Sequence, residues 1–227
     1  MRLIRASHEI ISPNPAGASE MIQRVEKIAR VCYKSEGNIG PGTAEKMVRK
    51  LIESGHTAMI EHGLVSVRFI VDRGVSHELV RHRIASWAQE STRYCDSSKS
   101  NDGQAHATFV IPPWVNLEPG IYHACNRPPL SDGDEEWFHG VLATETRYFN
   151  LRRIGWKPEQ ARSVLPNSLK TEVVMTANFR SLLNFFTLRC SPKAHPQMRE
   201  VAIPYMRECC TLFPSVFREQ DFLPGGE

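Results

Sequence analysis

Leu64-Val65-Ser66-Val67-Arg68-Phe69-Ile70-Val71 is β-branched and partly alternating, the pattern of a strand with one buried face. Asp72-Arg73-Gly74 ends it. A short helix from about Ser76 is expected to carry Glu78, Leu79 and Arg81 into a dense run of cations. That run is Arg81-His82-Arg83-Ile84-Ala85-Ser86-Trp87-Ala88-Gln89-Glu90-Ser91-Thr92-Arg93, with Ile84 to Thr92 extended or irregular. Guanidinium groups present a planar fork of donors that suits phosphate, so arginines converging on one short segment point to an anionic ligand or to several carboxylate partners. A solvated basic face is the plainer alternative.

Outward from this stretch, two further strands are expected near 107 to 111 and over 171 to 178, among longer helices. Met21, Val25, Ile28, Ala29 and Cys32 recur at helical spacing over 17 to 34, with Ser19 as a start, and Ala44, Met47, Leu51 and Ile52 do so over about 43 to 54. Phe138, Val141, Leu142 and Phe149 form the apolar face of a helix over 135 to 154 that Gly155 terminates, and Pro158 opens a shorter one. A helix from Arg180 buries Leu182, Leu183, Phe185 and Phe186 while Arg180 and Asn184 share another face, and an amphipathic helix covers about 196 to 212. Residues 95 to 106 read as a mobile polar loop, and 112 to 134 as irregular. Strands among longer helices give an α+β class, and residues 1 to 227 are expected to form one catalytic domain.

The charge balance argues for a discrete site. The 227 residues carry 28 Lys and Arg against 25 Asp and Glu, a net charge of +3, far from the strongly basic balance of a protein that coats nucleic acid. Against that nearly neutral background the 81 to 93 cluster stands out. No segment approaches a membrane span and no signal peptide is apparent, while cysteines at 32, 95, 125, 190, 209 and 210 form no CxxC pair. A reduced, cytoplasmic protein is expected.

Standard cofactor signatures are missing. There is no GxGxxG after a strand and no GxxxxGK[ST], so any nucleotide must be held by side chains. His77-Glu78-Leu79-Val80-Arg81-His82 differs from the zinc motif HExxH because its histidines are five apart, which rotates them off a common helix face, and no metal is expected. His123 and Cys125 lie in a proline-rich loop without partners.

Arg81-His82-Arg83, seven further residues and Ser91 match the RHRx7S signature of the flavin-dependent thymidylate synthases. Glu61-His62 resembles that family's histidine at the start of a strand, and Ala161-Arg162-Ser163-Val164-Leu165-Pro166 its ARxxLP segment. Asn178-Phe179-Arg180-Ser181-Leu182-Leu183-Asn184-Phe185 with Leu188-Arg189 resembles its NxRSLxNFxxLR block, continued by His195 and Gln197. The correspondence covers roughly 56 to 213 in the same order.

The resemblance implies a twisted, mostly antiparallel central sheet flanked by helices, and a homotetramer with active sites at its subunit interfaces. It implies methylation of dUMP to dTMP with FAD, methylenetetrahydrofolate as carbon donor and NADPH as reductant. Arg81, His82 and Arg83 would then grip the FAD pyrophosphate, with Gln89, Asn178, Arg180, Asn184 and His195 completing the flavin site. For dUMP it points to Glu78, Arg81, Gln89, Glu90, Ser91, Thr92, Arg93, Arg162 and Arg189, with Ser91 and Arg93 on the phosphate. Arg162 alone would otherwise read as a helix-surface partner of Glu159, Asn178 as a strand end and Asn184 as helix surface.

Arg189 takes the catalytic role in this resemblance, because a guanidinium can stabilise negative charge developing on the pyrimidine, and His62 would lie near flavin and folate. Ser91 is expected to be a ligand, since no adjacent base marks it as a nucleophile. No cysteine sits in a Pro-Cys-His context, and a hydride delivered by reduced flavin removes the need for a covalent thiol. The chain departs from the commonest pattern at Gln89, where many members have glutamate, with Glu90 following; at Glu78, where some have glutamine; and in a longer Arg189 to His195 spacing. Either Gln89 or Glu90 would meet the dUMP sugar. The competing class is a nucleotide- or RNA-binding module using Arg81, Arg83 and Arg93 for phosphates and Trp87 and Tyr94 for stacking.

Overall fold

Side-chain alternation places the two long strands. The computed structural model describes residues 1–96, 106–126 and 128–223, so most of the loop expected over 95 to 106 lies outside the described residues. In chain order the elements are β1 (Arg2–Ile4), β2 (Ser7–Ser12), α1 (Pro15–Val31), α2 (Thr43–Glu53), β3 (Leu64–Asp72), α3 (Arg73–Leu79), β4 (Ser86–Gln89), β5 (Thr108–Val110), β6 (Gly120–Ile121), α4 (Asp132–Arg153), α5 (Pro158–Ala161), β7 (Lys170–Asn178), α6 (Phe179–Arg189) and α7 (Pro196–Leu212). The α+β class holds.

Val65, Val67, Phe69 and Val71 of β3 are buried at every second position, as are Thr171, Val173, Met175 and Ala177 of β7. The Ser66 and Thr176 hydroxyls meet at 2.8 Å near one end of this pair, and the Arg73 amide donates to the Leu169 carbonyl at 3.1 Å near the other, so β3 and β7 run antiparallel. The strand order is β2-β3-β7-β4. A second sheet, ordered β5-β1-β6, is mixed: β1 pairs parallel with β5 and antiparallel with β6.

The chain divides into two compact units, each assembled from separate stretches. The first takes Met1–Ser7, Ile70–Val80 and the described residues of Ala88–Val173. Its core gathers Met1, Leu3, Phe109, Ile111, Phe138 and Leu169, so the three-residue β1 is held by apolar burial more than by its few ladder bonds. The second takes His8–Phe69, Arg81–Trp87 and the described residues from Val174 onward. Aromatic rings fill it: Phe69 meets Tyr205 edge-on at 5.4 Å, Phe186 meets Tyr205 at 5.2 Å, and Phe179 meets Phe213 at 4.8 Å.

Capping chemistry shifts several boundaries from the sequence expectation. The first helix begins at Pro15, not Ser19, because the Asn14 side chain accepts the Gly17 amide at 2.8 Å and proline suits the first turn. Asp72 accepts the Val75 amide at 2.6 Å, so α3 starts at Arg73 directly from the strand instead of near Ser76. Ser131 caps α4 at Asp132, and a two-residue strand, β6, interrupts the stretch expected to be irregular. Asn178 caps α6 through its carboxamide oxygen, 2.8 Å from the Ser181 amide.

Candidate active site

In the second unit, α6 presents the polar residues singled out by sequence. Its buried face holds Phe179, Leu182, Phe185 and Phe186, which leaves Arg180 and Asn184, four residues apart, exposed. Arg180 pairs with Glu61 at 2.6 Å. The short turn Met59–His62 that carries Glu61 is fastened where Arg24 donates to the His62 carbonyl at 3.2 Å and Phe179 donates to the Gly63 carbonyl at 3.0 Å. Gly63 is obligatory there, since a Cβ would overlap the Phe179 ring. His62 and His195 are exposed, His195 at the start of α7.

Arg189 ends the same helix. Its Nε donates to His82 Nε2 at 2.8 Å, joining two residues 107 apart in sequence. The His82 ring also lies edge-on to Phe185, centroids 4.9 Å apart, and its carbonyl accepts the Trp87 indole N–H at 3.0 Å. Burial, with the Arg189 charge second, pulls the His82 pKa down from 6.5 to about 4, so the imidazole is neutral at pH 7. Arg81 and Arg83 flank it and are exposed.

The first unit holds the remainder. Ser91 opens a tight turn in which its carbonyl accepts the Tyr94 and Cys95 amides and its hydroxyl accepts the Arg93 amide at 3.3 Å. Arg93 lies over the Tyr94 ring at 5.4 Å. Arg162 reaches this turn from the residues after α5, donating to the Thr92 hydroxyl at 3.0 Å, which replaces the surface pairing with Glu159 that its helix position suggests. A cavity of about 260 Å³ opens beside that bond, lined by Arg73, Thr92, Arg162, Ser163 and Asn167 among others. Arg73 Nη1 is buried with no hydrogen-bond partner among the described residues. Two guanidinium groups and hydroxyls around a small cavity suit a phosphate. Sequence reasoning missed Arg73, which read as part of a strand-ending turn.

Gln89 and Glu90 are already engaged. The Gln89 carboxamide donates to the Ser76 and Thr171 hydroxyls at 3.0 and 3.3 Å. Glu90 accepts Lys170 Nζ at 3.0 Å and the Glu172 amide at 3.2 Å, and Lys170 also binds Glu172 at 2.6 Å. Burial works to lower the Lys170 pKa, but these two carboxylates outweigh it and the net shift is upward. Glu78 sits half-buried in α3. The expected residues therefore fall into two sets: Glu78 and Gln89 through Arg93 with Arg162 in the first unit, and His62, Arg81, His82, Arg83, Asn178, Arg180, Asn184, Arg189 and His195 in the second.

The buried thiols are held protonated. All six cysteines are free, and Cys190, next to Arg189, is buried, which pushes its thiol up to about 12. Cys209 is pushed up further by the same desolvation.

Fold and side chains together define an α+β protein with clustered cations suited to anionic ligands, built without a glycine-rich phosphate loop. The chain matches the family described as thymidylate synthase complementing protein over residues 18–215, and it belongs to that family. It is 31% identical over 204 residues to a flavin-dependent thymidylate synthase of Mycobacteroides abscessus, covering 87% of this chain and 78% of that one. It is 32% identical over 220 residues to the enzyme of the same name from Mycobacterium sp. (strain JLS), covering 88% and 80%. The crystal structure of PolB from Streptomyces cacaoi, a UMP/dUMP methylase bound with 5-Br UMP, shares the fold with a TM-score of 0.72 and 21% identity, covering 97% of this chain and 96% of that one.

Proposed function

We propose that this chain methylates dUMP to dTMP, with methylenetetrahydrofolate as carbon donor and NADPH reducing bound FAD, and that residues 1 to 227 work as one catalytic domain. The observation that carries the reading is the Arg162–Thr92 bond at the edge of the Arg73 cavity. It joins the ARxxLP segment to the Ser91 turn across 70 residues, two places where the family resemblance puts dUMP. The relatives named flavin-dependent thymidylate synthase and the shared fold with a UMP/dUMP methylase support the substrate.

Each residue has a task its chemistry suits. Ser91, Thr92, Arg93 and Arg162 hold the phosphate, and Gln89, Glu90 and Glu78 meet the sugar and base side. The proposed flavin set is Arg81 and Arg83 with Gln89, Asn178, Arg180, Asn184 and His195, while His82 between the two arginines packs on Phe185 and accepts from Arg189. The exposed guanidinium groups of Arg81, Arg83 and Arg180 fit a pyrophosphate that no glycine loop is present to receive. When bound, reduced FAD supplies the hydride that completes the methyl group. Arg189 places positive charge on the uracil edge, stabilising the negative charge that must develop before C5 can attack carbon. His62 is assigned to the folate and flavin side. No enzyme nucleophile is used, which agrees with the raised thiol of Cys190.

A homotetramer in the cytoplasm completes the proposal. The family resemblance supports the tetramer, and six free cysteines support a reducing compartment. Among the described residues no helix is long and apolar enough to cross a membrane. The test is direct: purify the protein, record flavin absorbance, and assay dTMP formation from dUMP, methylenetetrahydrofolate and NADPH. A yellow protein that forms dTMP is expected. A protein that cannot be reconstituted with flavin, or one that binds polynucleotides in a salt-sensitive way and makes no dTMP, overturns the reading.

A further inference from the structure

We propose that His82 is a positioning residue that fixes the guanidinium of Arg189 for its work on the pyrimidine. This rests on the reading that Arg189 activates uracil. Arginine has donors only, so a 2.8 Å contact from Arg189 Nε requires His82 Nε2 to be an unprotonated acceptor, with the ring proton on Nδ1. The tautomer is set by the partner.

Two contacts hold the imidazole where this bond needs it. The Trp87 indole N–H grips the His82 carbonyl at 3.0 Å, which anchors the backbone. Phe185, 1% exposed, meets the ring edge-on at 4.9 Å. Phe185 lies four residues before Arg189, one turn back on α6, so the ring packs on the same stripe of helix from which the arginine projects. The lowered His82 pKa, caused first by burial and second by the Arg189 charge, agrees with this placement.

The consequence concerns the arginine's geometry. With Nε engaged by His82, a side chain with many rotamers is restricted before substrate arrives. Preorganised charge is worth more than charge that must be gathered during the reaction. Within the Arg81–His82–Arg83 run, gripping the flavin pyrophosphate then falls to the two arginines, and the histidine between them serves the substrate side.

Two arms test this. In kinetics, His82→Leu removes the acceptor while keeping bulk, and His82→Gln restores an acceptor oxygen at similar reach. His82→Leu should lower kcat by roughly 10- to 100-fold, with flavin content and the KM for dUMP within about threefold of wild type, and His82→Gln should recover most of that loss. Loss of flavin in proportion to activity, equal damage in both variants, or no damage in His82→Leu would overturn the proposal. In the second arm, imidazole 15N NMR of the wild-type protein should show His82 unprotonated at Nε2 down to about pH 5, and Arg189→Met should free the ring to titrate nearer its ordinary value. A His82 that titrates near 6.5 in wild type, or is indifferent to Arg189→Met, refutes the pairing. If wild type makes no dTMP, the activity reading fails by itself and takes the uracil-activating role with it; the NMR arm still decides whether His82 and Arg189 are coupled.

Discussion

Acidification should destabilise this protein partly through His82, and the size of that part can be worked from the site. An unfolded chain leaves the imidazole near 6.5, whereas the folded protein lowers it to about 4 because burial and the Arg189 charge oppose protonation. As pH falls, the unfolded state takes the proton first, so stability contributed above pH 6.5 is lost between 6.5 and about 4. Fully expressed, that difference is about 3 kcal/mol. The ring is only half-buried, so solvent screening reduces the usable figure to roughly 1.5 kcal/mol. Denaturant unfolding of wild type and His82→Gln at pH 7.5 and pH 4.5 measures it as a difference of differences, which removes the common loss from other groups and any baseline change in the variant. Wild type should lose about 1.5 kcal/mol more than the variant on acidification, or roughly 3 to 6 °C in thermal midpoint for a chain of this length. Equal acid losses in both proteins would refute the reasoning.

Three other substitutions separate structural from chemical roles. Gly63→Ala forces the Phe179 ring off its seat beside Phe213, so a loss of about 1–3 kcal/mol in denaturant unfolding is expected, and an unchanged midpoint would show that the turn moves freely. Arg162→Met should raise the KM for dUMP by about 10- to 100-fold and leave flavin content intact; a fall in flavin content with KM unaltered would move Arg162 out of the phosphate site. Cys190→Ala should keep dTMP formation within about threefold, because a thiol raised to about 12 is almost wholly protonated at pH 7; complete loss in a folded, flavin-loaded variant would reinstate a covalent thiol.

Much of the candidate site is legible along the chain because its residues fall in short, ordered blocks. The RHRx7S run, the ARxxLP segment and the asparagine and arginine positions of α6 can all be named before any fold is known. Their meaning in isolation stays ordinary. Arg162 looks like a partner for Glu159 until the fold presents Thr92, and Asn178 serves as the cap of α6 in addition to any ligand role. Arg73 carries no local sign at all: it follows a strand in a turn-like triplet, and only the Pro166 to Leu169 segment packed near it turns the position into the wall of a cavity.

The short first strand, β1, was illegible for a different reason. Three residues cannot display a period, and β1 exists because Leu3 is buried against Phe109 and Phe138 and its backbone pairs with Thr108–Val110, about a hundred residues away. Periodicity alone determined the buried faces of β3 and β7 and the apolar stripe of α6, since a strand alternates every second residue and a helix returns every third or fourth whatever lies opposite. Which side chains meet across those faces was decided only by tertiary packing. The Arg189–His82 contact spans 107 residues, and its existence depends on Phe185 and Trp87 seating one ring at one height along α6, a long-range fit that no local pattern encodes.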